Sequence, residues 1–96
     1  MKLNDALDKV AFMQDDDVIF AKRPWNIDSE ATIGHLDENL GVPKVFAERG
    51  LEYFLEAPVA KEVLGVLAKR EATIEERRSL LLYYAENDAY PDWVYR

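Results

Sequence analysis

The first apolar pattern in the chain is helical and lies at its N-terminus. Asn4 can cap this segment, and two aspartates in the first turn complement the positive end of a helix dipole. We expect a short helix over residues 4–13, ended by three consecutive acidic residues at 15–17. Apolar side chains recur there every three or four residues, at Leu3, Ala6, Leu7, Val10 and Met13.

The middle of the chain is typical of short strands. Residues 18–22 are a run of β-formers ended by Pro24, and residues 31–34 are a second such run. Residues 51–55, which include two aromatic side chains, are the most strand-like stretch. Between them, residues 36–50 are left open, apart from a piece at 44–49 that could form one helical turn.

Two amphipathic helices are predicted in the C-terminal part of the chain. The first covers residues 58–69, with Pro58 at its start, and Val59, Val63, Val66 and Leu67 on its inner face. The second begins with a capping box formed by Thr73 and Glu76 and ends near Asn87 or Asp88. Its expected inner stripe consists of Ile74, Leu81, Tyr84 and Ala85.

These elements predict an α+β fold in a single domain over residues 1–96. The order is a short N-terminal helix, a small two- to three-stranded antiparallel sheet, and two C-terminal amphipathic helices. Because strands and helices are grouped rather than alternating, we expect the helices to cover one face of the sheet.

Charge and composition narrow the possible partners. The chain has 19 acidic and 12 basic side chains, a net charge of −7, and no cysteine. An acidic surface repels phosphate backbones, so we expect no nucleic-acid binding. No apolar run approaches the roughly 20 residues of a membrane span, and no secretion signal is recognised at the start. The absence of cysteine favours a cytoplasmic location.

Catalytic groups are not found in a recognisable arrangement. His35 is the only histidine, and we interpret it as a partly exposed residue in a loop or at a strand end. Neither serine fits a catalytic triad, because Ser29 lacks a nucleophile-elbow context and Ser79 lies in the middle of a helix. We therefore expect a protein that is not an enzyme and has no catalytic residue.

Metal and cofactor sites are not expected either. One histidine and no cysteine are too few for a usual zinc site. Residues 37–48 partly follow a calcium loop, but Val42 stands where an EF-hand requires glycine. The acidic run at 15–17 could hold magnesium loosely, although such runs are usually solvated surface. No phosphate-binding glycine loop occurs, so no cofactor is predicted.

The segment Leu51–Glu56, followed by an amphipathic helix and then Tyr83–Tyr90, resembles a family of small bacterial proteins of unknown function. The resemblance covers roughly the C-terminal half of the chain. It implies a bacterial origin, and it implies no activity.

The C-terminal segment is the candidate binding surface, because aromatic and acidic side chains alternate there. At 100° per residue, Tyr83 lies opposite the inner stripe of its helix. Aromatic residues with a polar tip are enriched at interfaces. We assign partner binding to Tyr83, Glu76, Glu86 and Asp92. We assign anchoring of the tail to Asp88, Trp93 and Tyr84, with Asp88 accepting backbone N–H bonds.

Three functions remain open at this point. The leading one is a non-catalytic acidic binding protein, an inhibitor of the immunity or antitoxin kind that captures a basic protein. The alternative is a small structural or regulatory subunit that acts as a homodimer through apolar surface. The third is an uncharacterised hydrolase that uses paired carboxylates.

Overall fold

The computed structural model describes residues 1–95. The order of elements is α1, β1, β2, α2, β3, α3, α4, with 3₁₀ turns at Val10–Phe12 and Asp92–Tyr95. The strands are β1 (Val18–Lys22), β2 (Ala31–Gly34) and β3 (Leu51–Glu56). The helices are α1 (Leu3–Leu7), α2 (Lys44–Ala47), α3 (Ala57–Gly65) and α4 (Ile74–Asn87).

Strand β1 is the centre of a three-stranded antiparallel sheet with the order β2-β1-β3. Ile19 pairs with Ile33 on one side and with Leu55 on the other. The first four residues of β1 are all buried, and they alternate between the two faces of the sheet. Both faces of the central strand are therefore covered.

The main core lies between one face of the sheet and the helices α1, α3 and α4. Ile19 and Ala21 of β1 belong to this core, together with buried residues of each of the three helices. The α+β fold class is confirmed, as are the N-terminal helix, the antiparallel sheet and the two C-terminal helices. Among the described residues, no helix has the length and apolar character needed to cross a membrane.

The opposite face of the sheet carries a smaller apolar cluster that the sequence left open. Phe46 of α2 packs on Phe20 of β1, with ring centroids 5.1 Å apart. The Phe46 ring also lies over Gly34, where an added Cβ would come within 2.8 Å of it. A glycine at this position thus permits the close approach of α2, and the sheet is not covered on one face only.

The N-terminal helix is shorter than predicted, and Asn4 does not cap it. The predicted helix over 4–13 is divided into α1 and a 3₁₀ turn, and the N-cap residue is Lys2 without a side-chain bond. The first N–H groups of α1 donate instead to backbone carbonyls of the 27–29 turn, from Leu3 to Ser29 at 2.7 Å and from Asn4 to Ile27 at 3.0 Å. Tertiary hydrogen bonds therefore satisfy the free N–H groups at the start of α1.

A β-bulge in β3 brings two successive apolar residues into the main core. The pairing with β1 shifts between Ile19 and Phe20, whose partners are Leu55 and Tyr53. Phe54 is the extra residue, and both Phe54 and Leu55 are buried. A regular strand would have pointed one of the two to the opposite face.

Helix α3 also ends earlier than predicted. It covers Ala57–Gly65 rather than 58–69, and Pro58 is its second residue. The chain continues in tight turns with bonds between residues three apart, such as Leu67 N–H to the Leu64 carbonyl at 3.0 Å. Because the helical spacing is lost after Gly65, Val66 is 38 % exposed, and its predicted place on the inner face is wrong.

Helix α4 begins and ends as predicted. Glu76 N–H donates to the Thr73 hydroxyl and Thr73 N–H donates to the Glu76 carboxylate, both at 3.0 Å, which confirms the capping box. The left-handed residue Asp88 closes the helix. Its buried residues are Leu80 and Leu81.

Ile74 was predicted inside the core but is 57 % exposed. It is the first residue of α4 and lies about 9 Å along the helix axis from Leu80, at 1.5 Å per residue. Leu81 is fully buried, and Tyr84 and Ala85 pack partly buried against the core. The predicted inner stripe of α4 is therefore wrong only at its first residue, Ile74.

The C-terminal tail folds back on the domain. Tyr90 packs against Tyr84 with ring centroids 5.4 Å apart, Pro91 is buried, and Trp93 packs against the main core. Asp88 caps α4 through its own backbone, since its N–H donates to the Tyr84 carbonyl at 2.8 Å. Within residues 1–95, no backbone N–H of the tail donates to the Asp88 carboxylate, which corrects its predicted role.

We predict that Leu81→Ala lowers the free energy of unfolding by about 2–5 kcal/mol, because it removes a large side chain from a closed core. Ile74→Ala, on the exposed end of the same helix, is the matched control and should change it by about 0.5 kcal/mol or less. Urea unfolding of both variants measures the difference. Equal losses of unfolding free energy for the two variants would contradict the assignment of Leu81 to the core and Ile74 to the surface.

Candidate functional site

An apolar depression runs along the outer side of α4, and we call it the α4 groove. Its volume is about 430 Å³. Tyr83 is 41 % exposed within it, and Ile27 from the turn before β2 is 43 % exposed. The groove is lined by Ile27, Glu75, Arg78, Ser79, Leu82, Tyr83, Glu86 and Asn87.

The groove follows from the spacing of residues on α4. Positions 75, 79, 82, 83 and 86 recur every three or four residues and so share one side of the helix. Leu82 and Tyr83 give this side an apolar centre, next to the buried stripe of Leu80 and Leu81. Helix α4 therefore presents apolar surface to the core and also to the outside.

One rim of the groove is held in place by a chain of contacts from the sheet. Arg23 donates to both carboxylate oxygens of Glu86, at 3.0 and 3.2 Å. The Arg23 guanidinium stacks on Trp25, 3.7 Å from the ring centroid, and Trp25 packs edge-on against Phe54. The Trp25 indole also donates to the Ala21 carbonyl at 3.1 Å. These contacts connect the Glu86 carboxylate, through Arg23 and Trp25, to Phe54 in the core.

A second ion pair fixes the base of the groove. Arg78 donates from Nε and Nη2 to the two carboxylate oxygens of Asp8, at 2.9 and 2.5 Å. This bidentate bond, more than the charge of Arg78, lowers the pKa of Asp8 below its ordinary value. The same bond raises the pKa of Arg78.

A wider depression, which we call the Trp93 cleft, adjoins the groove. It is lined by Arg70, Glu75, Glu76, Ser79 and Trp93. Glu75 and Ser79 line both depressions and form the ridge between them. The Arg70 guanidinium lies 5.6 Å from the Trp93 ring centroid and 3.8 Å from the Glu76 carboxylate.

The four residues predicted to bind a partner do not form one patch. Tyr83 and Glu86 line the α4 groove, whereas Glu76 lines the Trp93 cleft and is used in the capping box. Asp92 is exposed at the start of the last 3₁₀ turn and lines neither depression. Binding by these residues stays a prediction.

Sequence reasoning missed three parts of the groove, namely Ile27, Leu82 and the Arg78–Asp8 pair. The spacing of Leu82 and Tyr83 outside the inner stripe was a usable signal. Ile27 was not, because only the fold brings its turn beside α4.

The C-terminal end of α4 is electronegative. Its last turn contains no basic residue, and the helix ends on Asp88. The Asp88 carboxylate adds to the negative end of the helix dipole, and no basic residue of the last turn offsets it. Burial, followed by the charge of Asp88, raises the pKa of Tyr84 above its ordinary value.

The side chains considered for chemistry have structural partners. Ser29 is buried, and its hydroxyl donates to the Pro24 carbonyl at 2.8 Å and accepts the Asn26 N–H at 2.9 Å. His35 lies beside the carboxylates of Asp16 and Asp17, and among the described residues this group alone brings three potential metal ligands together.

The sequence matches the profile of a domain of unknown function, DUF7716, over residues 1–93. The chain belongs to the DUF7716 family. No curated protein and no solved structure matches it.

The family match agrees with the resemblance to proteins of unknown function and extends it beyond the C-terminal half. The pattern quoted for that resemblance, Leu51–Glu56 with Tyr83–Tyr90, stays a prediction. In this DUF7716 domain the two segments lie in different layers, since the first is an edge strand and the second ends α4.

Because of the Asp8–Arg78 pair, the stability of the DUF7716 domain should depend on pH in the acidic range. A depressed pKa of Asp8 in the folded state stabilises the fold above the pKa of the unfolded chain. This contribution is lost as the pH falls through the folded pKa. We predict that Asp8→Asn lowers the melting temperature at neutral pH and flattens its decline between about pH 5 and about pH 2.

The control for this experiment is Glu38→Gln, which removes an exposed carboxylate without an ion pair among the described residues. It should retain the acid dependence of the parent chain. An Asp8→Asn variant whose melting temperature declines as steeply as that of the parent would contradict the assignment.

Trp93 and Tyr83 should differ in their effect on stability. Trp93 packs against the main core, whereas Tyr83 lines the open groove. We predict that Trp93→Ala lowers the free energy of unfolding by about 1–3 kcal/mol and Tyr83→Ala by less than about 1 kcal/mol. Chemical unfolding of both variants measures this. A larger loss for Tyr83 would make the groove part of the core.

Proposed function

We propose that this DUF7716 protein is a non-catalytic binding protein that captures a basic protein segment in the α4 groove. The observation that carries the proposal is the exposed Tyr83 on an apolar floor, beside the electronegative end of α4. Tyrosine in such a setting is typical of residues that dominate binding energy.

The groove is large enough to take an anchoring side chain of a partner. Its volume of about 430 Å³ is in the range of pockets that hold small molecules. Ile27 and Leu82 can cover the alkyl part of a long side chain, and Tyr83 can contact its charged end. Arginine or lysine of a partner fits this description.

The charges around the groove support a cationic anchor. Within residues 1–95, the two basic residues at the groove are Arg78 and Arg23, and they are already bound by Asp8 and Glu86. Glu75 and Asp88 form no salt bridge with residues 1–95. The charge left for a partner is therefore negative.

The net charge of −7 supports the same assignment at longer range. Complementary charge steers a basic partner toward the surface and raises the rate of association. An inhibitor of the immunity or antitoxin kind, acting in the cytoplasm of a bacterium, uses binding of this type. We therefore propose that the protein belongs to that class.

A homodimer is the second candidate, and specific apolar exposures favour it. Phe12 is 86 % exposed, and Ile74 lines a small cleft with Leu7 and Leu64. Pairing of two copies over this cleft would bury Ile74. The third candidate, a carboxylate-dependent hydrolase, lacks such support, since Glu52 pairs with Arg23 and Glu76 caps α4.

Capture experiments test the leading proposal. The immobilised chain should retain a basic protein from a lysate of its own organism at about 0.1 M salt and release it at about 1 M, where the Debye length falls from about 10 Å to about 3 Å. With the captured protein purified, the double variant Tyr83→Ala, Glu75→Gln should bind at least about tenfold more weakly, or about 1.4 kcal/mol.

The matched control carries Tyr53→Ala and Glu38→Gln. Tyr53 is 38 % exposed, close to the value for Tyr83, but it lies on β3 and outside the groove. This control should bind like the parent chain. Equal losses in the two double variants, or binding that does not respond to salt, would argue against the groove. Self-association alone would favour the homodimer.

A further inference from the structure

The pairing of β1 with β2 brings a histidine next to two aspartates that are far from it in sequence. Val18 and Gly34 are partners at one end of the two strands. Asp17 precedes Val18 and His35 follows Gly34, so these two residues continue the same ladder by one position. Asp16 is the next residue outward, and its carboxylate also faces the ring.

The three side chains converge on one point. His35 Nε2 lies 3.2 Å from Asp17 Oδ1 and 3.6 Å from Asp16 Oδ2. The three potential ligand atoms all lie within 4.8 Å of one another. Ligands at bond lengths of about 2.0–2.2 Å around a tetrahedral ion are separated by about 3.3–3.6 Å. Both distances from the imidazole lie close to that value.

The Asp17 carboxylate is oriented from outside the group. Its second oxygen, Oδ2, accepts the backbone N–H of Gln14 at 2.8 Å, which turns Oδ1 toward His35. The Asp17 side chain is also mostly buried, with 22 % of it exposed. Bonds of this kind to ligating carboxylates increase metal affinity in other proteins.

We propose that Asp16, Asp17 and His35 form a binding site for a divalent transition metal of the zinc class. One imidazole nitrogen and two carboxylate oxygens suit zinc, whereas magnesium and calcium would gain little from the histidine. Three protein ligands leave one tetrahedral position for water. The site is separate from the α4 groove and does not rest on the proposed function.

Nearby charges set the expected strength of binding. Asp15 adds a further negative charge beside the site without being one of the three ligands. Lys61 of α3 reaches the same loop, where its ammonium donates to the Met13 carbonyl at 2.5 Å. Because the imidazole and Asp16 are largely exposed, we expect moderate affinity, lost on acidification as protons compete for the imidazole.

Sequence reasoning considered only loose magnesium binding at the acidic run 15–17 and did not connect this run with His35. Ligand spacing along the chain was the criterion, and 18 residues separate His35 from Asp17. The criterion fails here because the pairing of two strands, and not a local motif, brings the ligands together.

Titration of the full chain with zinc chloride, after treatment with a chelator, tests the proposal. Calorimetry should show one ion per chain, and zinc at about ten times its Kd should raise the melting temperature by roughly 5–10 °C. Cobalt chloride should give the intense visible absorption of a tetrahedral site, and magnesium chloride at the same concentration should give no shift. Lowering the pH should weaken zinc binding.

The variants His35→Gln and Asp16→Asn should each weaken zinc binding at least about tenfold. Both residues are exposed, so both variants should melt like the parent chain without metal. Asp15→Asn is the matched control, since it removes one charge from the same acidic run and should retain zinc binding. The proposal is overturned if zinc does not bind, if magnesium acts like zinc, or if Asp15→Asn is as damaging as His35→Gln.

Discussion

The fold depends on the burial of β1 between two layers of side chains. The strand is paired on both edges, and its residues alternate between the helical core and the smaller cluster around Phe46. This arrangement fixes the position of almost every other element. The bulge in β3 adjusts the sheet to the helical core, and the turn that follows β1 supplies the carbonyls at which α1 begins. A chain of 96 residues without disulfides depends on such shared contacts for stability.

The packing of α4 on the core also explains why its outer side has exposed apolar residues. Two successive leucines satisfy the core, so Leu82 and Tyr83 are left on the side that faces outward. The Arg23 and Arg78 ion pairs then tie this helix to the sheet and to α1 without covering its outer side. Contacts of this kind lower the conformational entropy that side chains of a binding surface lose on association. The groove is therefore exposed, and Arg78 and Glu86 on its lining already have partners.

Features that depend on neighbouring residues could be predicted from the sequence. Features that depend on contacts between distant segments could not. The capping box of α4 and all three strands could be read from neighbouring residues. The start of α1 could not, because carbonyls of the 27–29 turn cap it in place of Asn4. The candidate sites show the same limit. Tyr83 was identified from helix geometry, whereas Ile27 reaches the groove, and His35 reaches the aspartates, only through tertiary structure.

The central claim is that the outer side of α4 is the surface that contacts a partner. Amide chemical-shift mapping of the labelled chain, titrated with the purified protein that it captures, tests this claim most directly. The account predicts that the largest changes fall on the outer positions of α4 from Glu75 to Asn87 and on Ile27, with small changes around Phe46. Changes concentrated on the Phe46 cluster or on the edge of β3, with α4 unaffected, would contradict it.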